Sequence, residues 1–153
     1  MASKAQSGQV MSGGCLCGAV RFSASPKAHE IGLCHCGMCR KWSAGPFFAV
    51  DCGGSVKIDE ASDLGVYRSS EWAERCFCRK CGSTLFYRLV GKDHYFVSAE
   101  SFDERNSFAV TAQIFIDEKP AYYDFANETA KMTGAEVFAA FAPSQDDEGK
   151  AKG

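Results

Sequence analysis

The sequence has no excess of positive charge: 17 Lys and Arg stand against 19 Asp and Glu, a formal net charge of −2 over 153 residues. A phosphate backbone is held largely by clustered cations, so nucleic acid is not expected as the partner. No run of about 18 or more apolar residues exists, and no membrane-spanning helix is expected. The first ten residues are small and polar, without the apolar core of a secretory signal. A cytoplasmic location is therefore expected, where thiols stay reduced. No βαβ rhythm, internal repeat or low-complexity linker divides the chain. What is present suits one globular domain: 46% of residues are apolar and 24% charged, with twelve Phe, five Tyr and two Trp for a core.

Short segments rich in β-branched and aromatic residues dominate. Strands are predicted over Gly18–Ser25, Pro46–Asp51, Ser55–Ile58, Leu64–Arg68, Ser83–Val90, Tyr95–Ala99 and Phe108–Ile116. Turn residues separate them, as at Gly53-Gly54 and Gly91-Lys92-Asp93. Strands joined by short turns predict a mainly β fold of antiparallel sheets packed face to face. One short C-terminal helix is predicted over Gly134–Phe141, with Pro143 to stop it. The domain is expected to span 10–143, with polar, disordered ends at 1–9 and 144–153.

Cysteine carries the chemistry. Seven of the nine cysteines fall into a CxC, a CxCxxC and a CxxC cluster. Spacings of one and two residues in a cytosolic chain suit metal binding and not disulfides. Tetrahedral zinc commonly takes two close pairs from separate segments, and Cys15, Cys17, Cys78 and Cys81 form such a set. Gly18 and Gly82 permit the turns these loops need. A closed site of this type is structural. Cys34, Cys36 and Cys39 form a second set of three, with Gly37 to turn the chain back. Three ligands and an open fourth position describe a catalytic zinc. In an extended segment His35 faces away from the flanking thiolates, although as a fourth ligand it would close the site. Three thiolates on zinc leave a net charge of −1. Arg40 and Lys41 follow directly and are the candidate contacts for an anionic thiol substrate, with solvated surface cations as the other reading. Cys76 stands at CxC spacing from Cys78 and offers an alternative ligand. Cys52 follows an apolar strand and reads as a small buried residue.

Three blocks go beyond spacing: Gly13-Gly14-Cys15-Leu16-Cys17-Gly18, Cys34-His35-Cys36-Gly37-Met38-Cys39-Arg40-Lys41-Trp42-Ser43 and Arg75-Cys76-Phe77-Cys78-Arg79-Lys80-Cys81-Gly82-Ser83-Thr84-Leu85. In order and interval they resemble the glutathione-dependent formaldehyde-activating (GFA) family, also called the CENP-V/GFA domain, from about Gly13 to Phe125. The resemblance implies a zinc-stabilised β-tent fold and two zinc ions. One would be structural on Cys15, Cys17, Cys78 and Cys81, the other catalytic on Cys34, Cys36 and Cys39. It also implies a carbon–sulfur lyase that joins formaldehyde to glutathione, giving S-hydroxymethylglutathione, with glutathione as co-substrate. A different small thiol, or a non-enzymatic zinc-stabilised interaction module, are the alternatives. The family's late block commonly carries a Trp, where this chain has Tyr122, Tyr123 and Phe125. Trp72 reads as a core residue or a pocket wall. His29 and His94 read as surface residues, Glu100 and Asp103 as turn or cap residues.

Overall fold

Among residues 8–141, which the computed structural model describes, the chain forms eleven strands and two α-helices. In order these are β1 (Met11–Gly14), β2 (Arg21–Ala24), β3 (Glu30–Cys34), α1 (Gly37–Ser43), β4 (Phe47–Gly53), β5 (Lys57–Ile58), β6 (Leu64–Arg68), β7 (Ala73–Cys78), β8 (Thr84–Leu89), β9 (Tyr95–Ser98), β10 (Ala109–Ile114), β11 (Ala130–Met132) and α2 (Gly134–Phe141). The predicted tails lie outside the described residues, apart from Gly8 and Gln9. The Gly8 N–H donates to the Pro26 carbonyl at 3.2 Å. No helix among the described residues is long and apolar enough to cross a membrane.

Two sheets form. The small one has the order β1-β2-β5; the large one runs β11-β10-β3-β4-β9-β8-β7-β6. The expected antiparallel pairing holds from β3 through β6, but β10 pairs parallel with both β3 and β11. Long connections make this possible: β3 and β10 are separated by most of the domain, so no tight hairpin dictates their sense.

Register divides the large sheet into two chemistries. One row crosses it as Val66, Cys76, Phe86, Val97 and Val50. Cys76, Phe86, Val97 and Val50 are fully buried, and this face packs on the small sheet to make the main core. Phe22 of β2 sits at its centre, edge-on to Phe86 at 5.0 Å and to Phe102 at 5.5 Å. Because side chains alternate along each strand, the neighbouring row Tyr67, Arg75, Tyr87 and Phe96 lies on the opposite face. That face carries a second, smaller cluster around Cys34, Cys39 and Phe47.

Phe22 joins the two sheets, and truncating it empties a site with no solvent access. Phe22→Ala is expected to cost about 3–5 kcal/mol, the usual range for a buried Phe. Chemical denaturation read by circular dichroism checks this; a loss below about 1 kcal/mol would place the core elsewhere.

Trp72 is not a core residue. It lies at the turn between β6 and β7 with 56% of its surface exposed, held where Ser69 and Ser70 N–H groups close on the Ala73 carbonyl. His94 and His29 are half-buried. His94 stacks on Phe96 and places Nε2 2.8 Å from Asp51 Oδ1; His29 stacks on Phe108 and places Nδ1 2.9 Å from Ser107 Oγ. Asp103 does more than close a turn: both its oxygens accept from the Arg21 guanidinium, at 3.0 and 2.5 Å. Glu100 sits in the 3-10 turn Ala99–Ser101.

Candidate metal centres

The four sulfurs of Cys15, Cys17, Cys78 and Cys81 lie within 4.8 Å of one another. Two turns bring them together. After β1 the Cys15 N–H donates to the Val20 carbonyl, and Gly18, at φ 83°, closes the loop. After β7 the Cys78 N–H donates to the Ser83 carbonyl, and Gly82, at φ 80°, donates to the Cys78 carbonyl at 2.8 Å. A left-handed backbone at both positions suits glycine. Ser83 ties the two loops: its hydroxyl accepts from the Leu16 N–H at 2.9 Å and lies 3.2 Å from Cys81 Sγ. That hydroxyl and the Ser83 amide pull the Cys81 thiol down to about 5, so it offers a thiolate near neutral pH. Four clustered sulfurs from two turns fit the donor set of a closed tetrahedral zinc site.

The second group is local. Cys34 ends β3, Cys36 is the N-cap of α1, and Cys39 lies in that helix's first turn. Their three sulfurs also lie within 4.8 Å of one another. Cys36 is extended (φ −63°, ψ 154°), and its sulfur accepts from the Cys39 N–H at 3.4 Å, a capping bond made by a thiol. Hydrogen bonds from Cys34 and Cys39 hold the Cys36 thiol down to about 2, while the same contact pushes the Cys34 thiol upward. Three cysteine sulfurs packed this closely suit a shared soft divalent cation.

His35 is accounted for. Its backbone N–H donates to the Ile114 carbonyl, and its side chain is fully buried and engages Gln113 and Tyr123. Gln113 Nε2 donates to Thr129 Oγ1, which leaves Gln113 Oε1 to accept from His35 Nε2 at 2.8 Å. Nδ1 then accepts from the Tyr123 hydroxyl at 2.8 Å. Burial also lowers the His35 pKa, in keeping with a neutral ring. With both nitrogens engaged, the ring has none to give a metal.

The walls of the second group are apolar: Trp42, Phe47, Ala49, Tyr87, Phe96, Ile114 and Phe115. Phe115 holds a left-handed backbone (φ 54°), unusual for a bulky side chain, and packs edge-on to Phe138 of α2 at 5.7 Å. Arg40 and Lys41 lie on α1 beside Tyr122 and Tyr123, lining a groove of about 680 Å³. Arg40 Nε donates to the His35 carbonyl at 2.9 Å, and Lys41 is exposed. A larger cleft of about 880 Å³ runs from Cys15 and Ser83 to Phe47 and Tyr123, and none of Cys34, Cys36 and Cys39 lines it.

One cation was missed by sequence reasoning. Arg75, on β7, reaches the second group and donates from Nη1 to Cys39 Sγ at 3.4 Å. The available signal was its place one residue before Cys76 on an alternating strand, which sends it to the face opposite the core. Cys76 itself points into the main core, as does Cys52; burial raises their thiols to about 11 and about 12. Neither belongs to a sulfur group.

Known proteins agree with this architecture. The sequence profile of the glutathione-dependent formaldehyde-activating enzyme family matches residues 10–118. An uncharacterised lyase of Schizosaccharomyces pombe is 40% identical over 126 residues, covering 82% of this chain and 92% of that protein. A Halomonas elongata protein, named provisionally as a glutathione-dependent formaldehyde-activating enzyme, is 31% identical over 86 residues; the match spans 50% of this chain and 55% of that protein. The crystal structure of a Rhodobacter sphaeroides protein shares the fold, with a TM-score of 0.56 at 21% identity over 67% of this chain and 99% of that one. On the extent of the profile match and the identity to the yeast lyase, the chain belongs to the glutathione-dependent formaldehyde-activating enzyme family.

Proposed function

We propose that the protein is a zinc-dependent carbon–sulfur lyase acting on a small thiol adduct, with S-hydroxymethylglutathione, formed from glutathione and formaldehyde, as the adduct. One observation carries this reading: Cys34, Cys36 and Cys39 gather three sulfurs with no fourth donor in their group among the described residues, and His35 is committed elsewhere. In this reading Cys15, Cys17, Cys78 and Cys81 hold a structural zinc, and Cys34, Cys36 and Cys39 hold a catalytic one. The catalytic ion, when bound, supplies an open position at which a thiol is held as thiolate.

The chain's own residues would do the rest. Trp42, Phe47 and Phe96 surround the sulfurs with apolar surface and limit access by water. Arg40 and Lys41, beside the groove with Tyr122 and Tyr123, offer cations to the carboxylates of a peptide thiol such as glutathione. The reaction balances without redox change: sulfur adds to the carbonyl carbon, the C=O π pair moves to oxygen, and that oxygen takes up one proton, equal to the one the thiol released on ionising. Lysis is the reverse, breaking the C–S bond.

The cobalt-substituted protein tests the assignment. Two ions per chain are expected, and glutathione should shift the thiolate absorption bands of one of them. Exchange between formaldehyde, glutathione and the adduct, followed by NMR, should exceed the rate in buffer. Two thiol-inert ions with buffer-rate exchange would sink the enzyme reading and favour an interaction module.

A further inference from the structure

Arg75 is 5% exposed, an unusual position for an arginine. Its guanidinium lies 5.0 Å from the ring centre of Trp42 and 5.0 Å from that of Tyr87, held between the two faces. A buried cation requires a countercharge. The adjacent Glu74 points the other way and pairs with Arg88 at 2.8 Å, so it does not supply one. The hydrogen-bond partner that Arg75 does have is Cys39 Sγ, and its Nε is buried with no partner among the described residues. The group is thus built to face sulfur and carries donor capacity to spare.

Resting on the thiol-lyase reading above, we propose that Arg75 is a positioning residue whose charge lets the three-sulfur centre accept an anionic fourth sulfur. Three thiolates around a divalent metal leave a charge of −1, and a fourth would bring it to −2. In a site walled by Trp42, Phe47 and Phe96 that excess is poorly screened. Arg75 returns the assembly to −1. Arg40 and Lys41 are placed less well for this: Arg40 Nε is spent on the His35 carbonyl, and Lys41 is exposed to solvent. The stacked rings also keep the planar guanidinium from swinging away, which a flexible ammonium would not guarantee.

The test compares cobalt-loaded wild type, Arg75→Gln and Arg75→Lys, titrated separately with glutathione and with imidazole, a neutral ligand. Arg75→Gln should retain two ions and bind glutathione about 10- to 100-fold more weakly, the scale of a lost hydrogen bond to a charged group. Arg75→Lys should fall several-fold, and imidazole should bind all three proteins alike. Glutathione binding within twofold of wild type in a two-ion Arg75→Gln protein overturns the proposal. So does an equal loss for imidazole, which marks a role in packing alone. If Arg75→Gln does not retain two ions, Arg75→Lys decides, and unchanged glutathione affinity there overturns the proposal. A wild-type protein indifferent to glutathione would instead overturn the lyase reading on which this rests.

Discussion

Cys78→Ser should leave a chain that no longer unfolds cooperatively and holds one metal ion fewer. The sulfur of Cys78 is fully buried at the end of β7 and lies 3.8 Å from Cys17 Sγ, across 61 residues of chain. On the proposed assignment these four sulfurs hold a structural zinc, and such a site contributes about 10–16 kcal/mol of apparent binding free energy. The net stability of a whole domain is only about 5–15 kcal/mol. If removing one of the four sulfurs releases the ion, the contribution lost is as large as the total. Serine adds to the loss, placing a hydroxyl where no partner is arranged. Cys52→Ser is the control, since Cys52 is equally buried but outside both sulfur groups. It should cost about 1–3 kcal/mol and leave the metal count unchanged. Circular dichroism during denaturation, with metal measured by mass spectrometry, separates the two. A cooperative Cys78→Ser protein with stability near that of Cys52→Ser would show that these sulfurs do not hold the fold.

Cys36→Ser should give the opposite pattern: a folded protein, one ion lost, and catalysis gone. Serine is among the best N-cap residues, so α1 keeps its first bond when the Cys36 sulfur is replaced. The main core lies on the other face of the large sheet and is untouched. Loss of a direct ligand should exceed the 10- to 100-fold effect typical of the groups behind the ligands, so exchange of the adduct should fall at least about 100-fold, to the buffer rate. Measuring the exchange by NMR beside the metal count checks this. Global unfolding of Cys36→Ser would mean that the two sulfur groups have exchanged roles.

Much of the fold was legible because its strands are short runs rich in β-branched and aromatic residues, set apart by turn residues. β4, β6, β8, β9 and β10 fall within or close to the predicted strands, and α2 matches its predicted span. β1, β3, β7 and the three-residue β11 were missed, the first three for identifiable reasons. β1 (MSGG) is short and half glycine, and β3 (EIGLC) is interrupted by Gly32. β7 (AERCFC) is overshadowed by its cysteines, and the predicted metal loop after Cys36 is in part the helix α1, which Gly37 and Cys39 disguise. Parallel pairing of β3 with β10 depends on distant register, which local alternation does not encode. The two sulfur groups are visible in spacing alone. Arg75 is not, because its meaning arises only when β7 and β8 pair and Trp42 of α1 folds over it.

The two sulfur groups differ in how much chain each must gather. Cys34, Cys36 and Cys39 span one strand end and one helical turn, so closing that set costs little entropy. Cys17 and Cys78 meet only after 61 residues have been brought round. During synthesis the first set is complete as soon as residue 39 leaves the ribosome, whereas Cys15 and Cys17 must wait for Cys81. The three-sulfur set thus has all its donors early in the chain, whereas the four-sulfur set is a late latch that can close only after β7 and the turn behind it have been made.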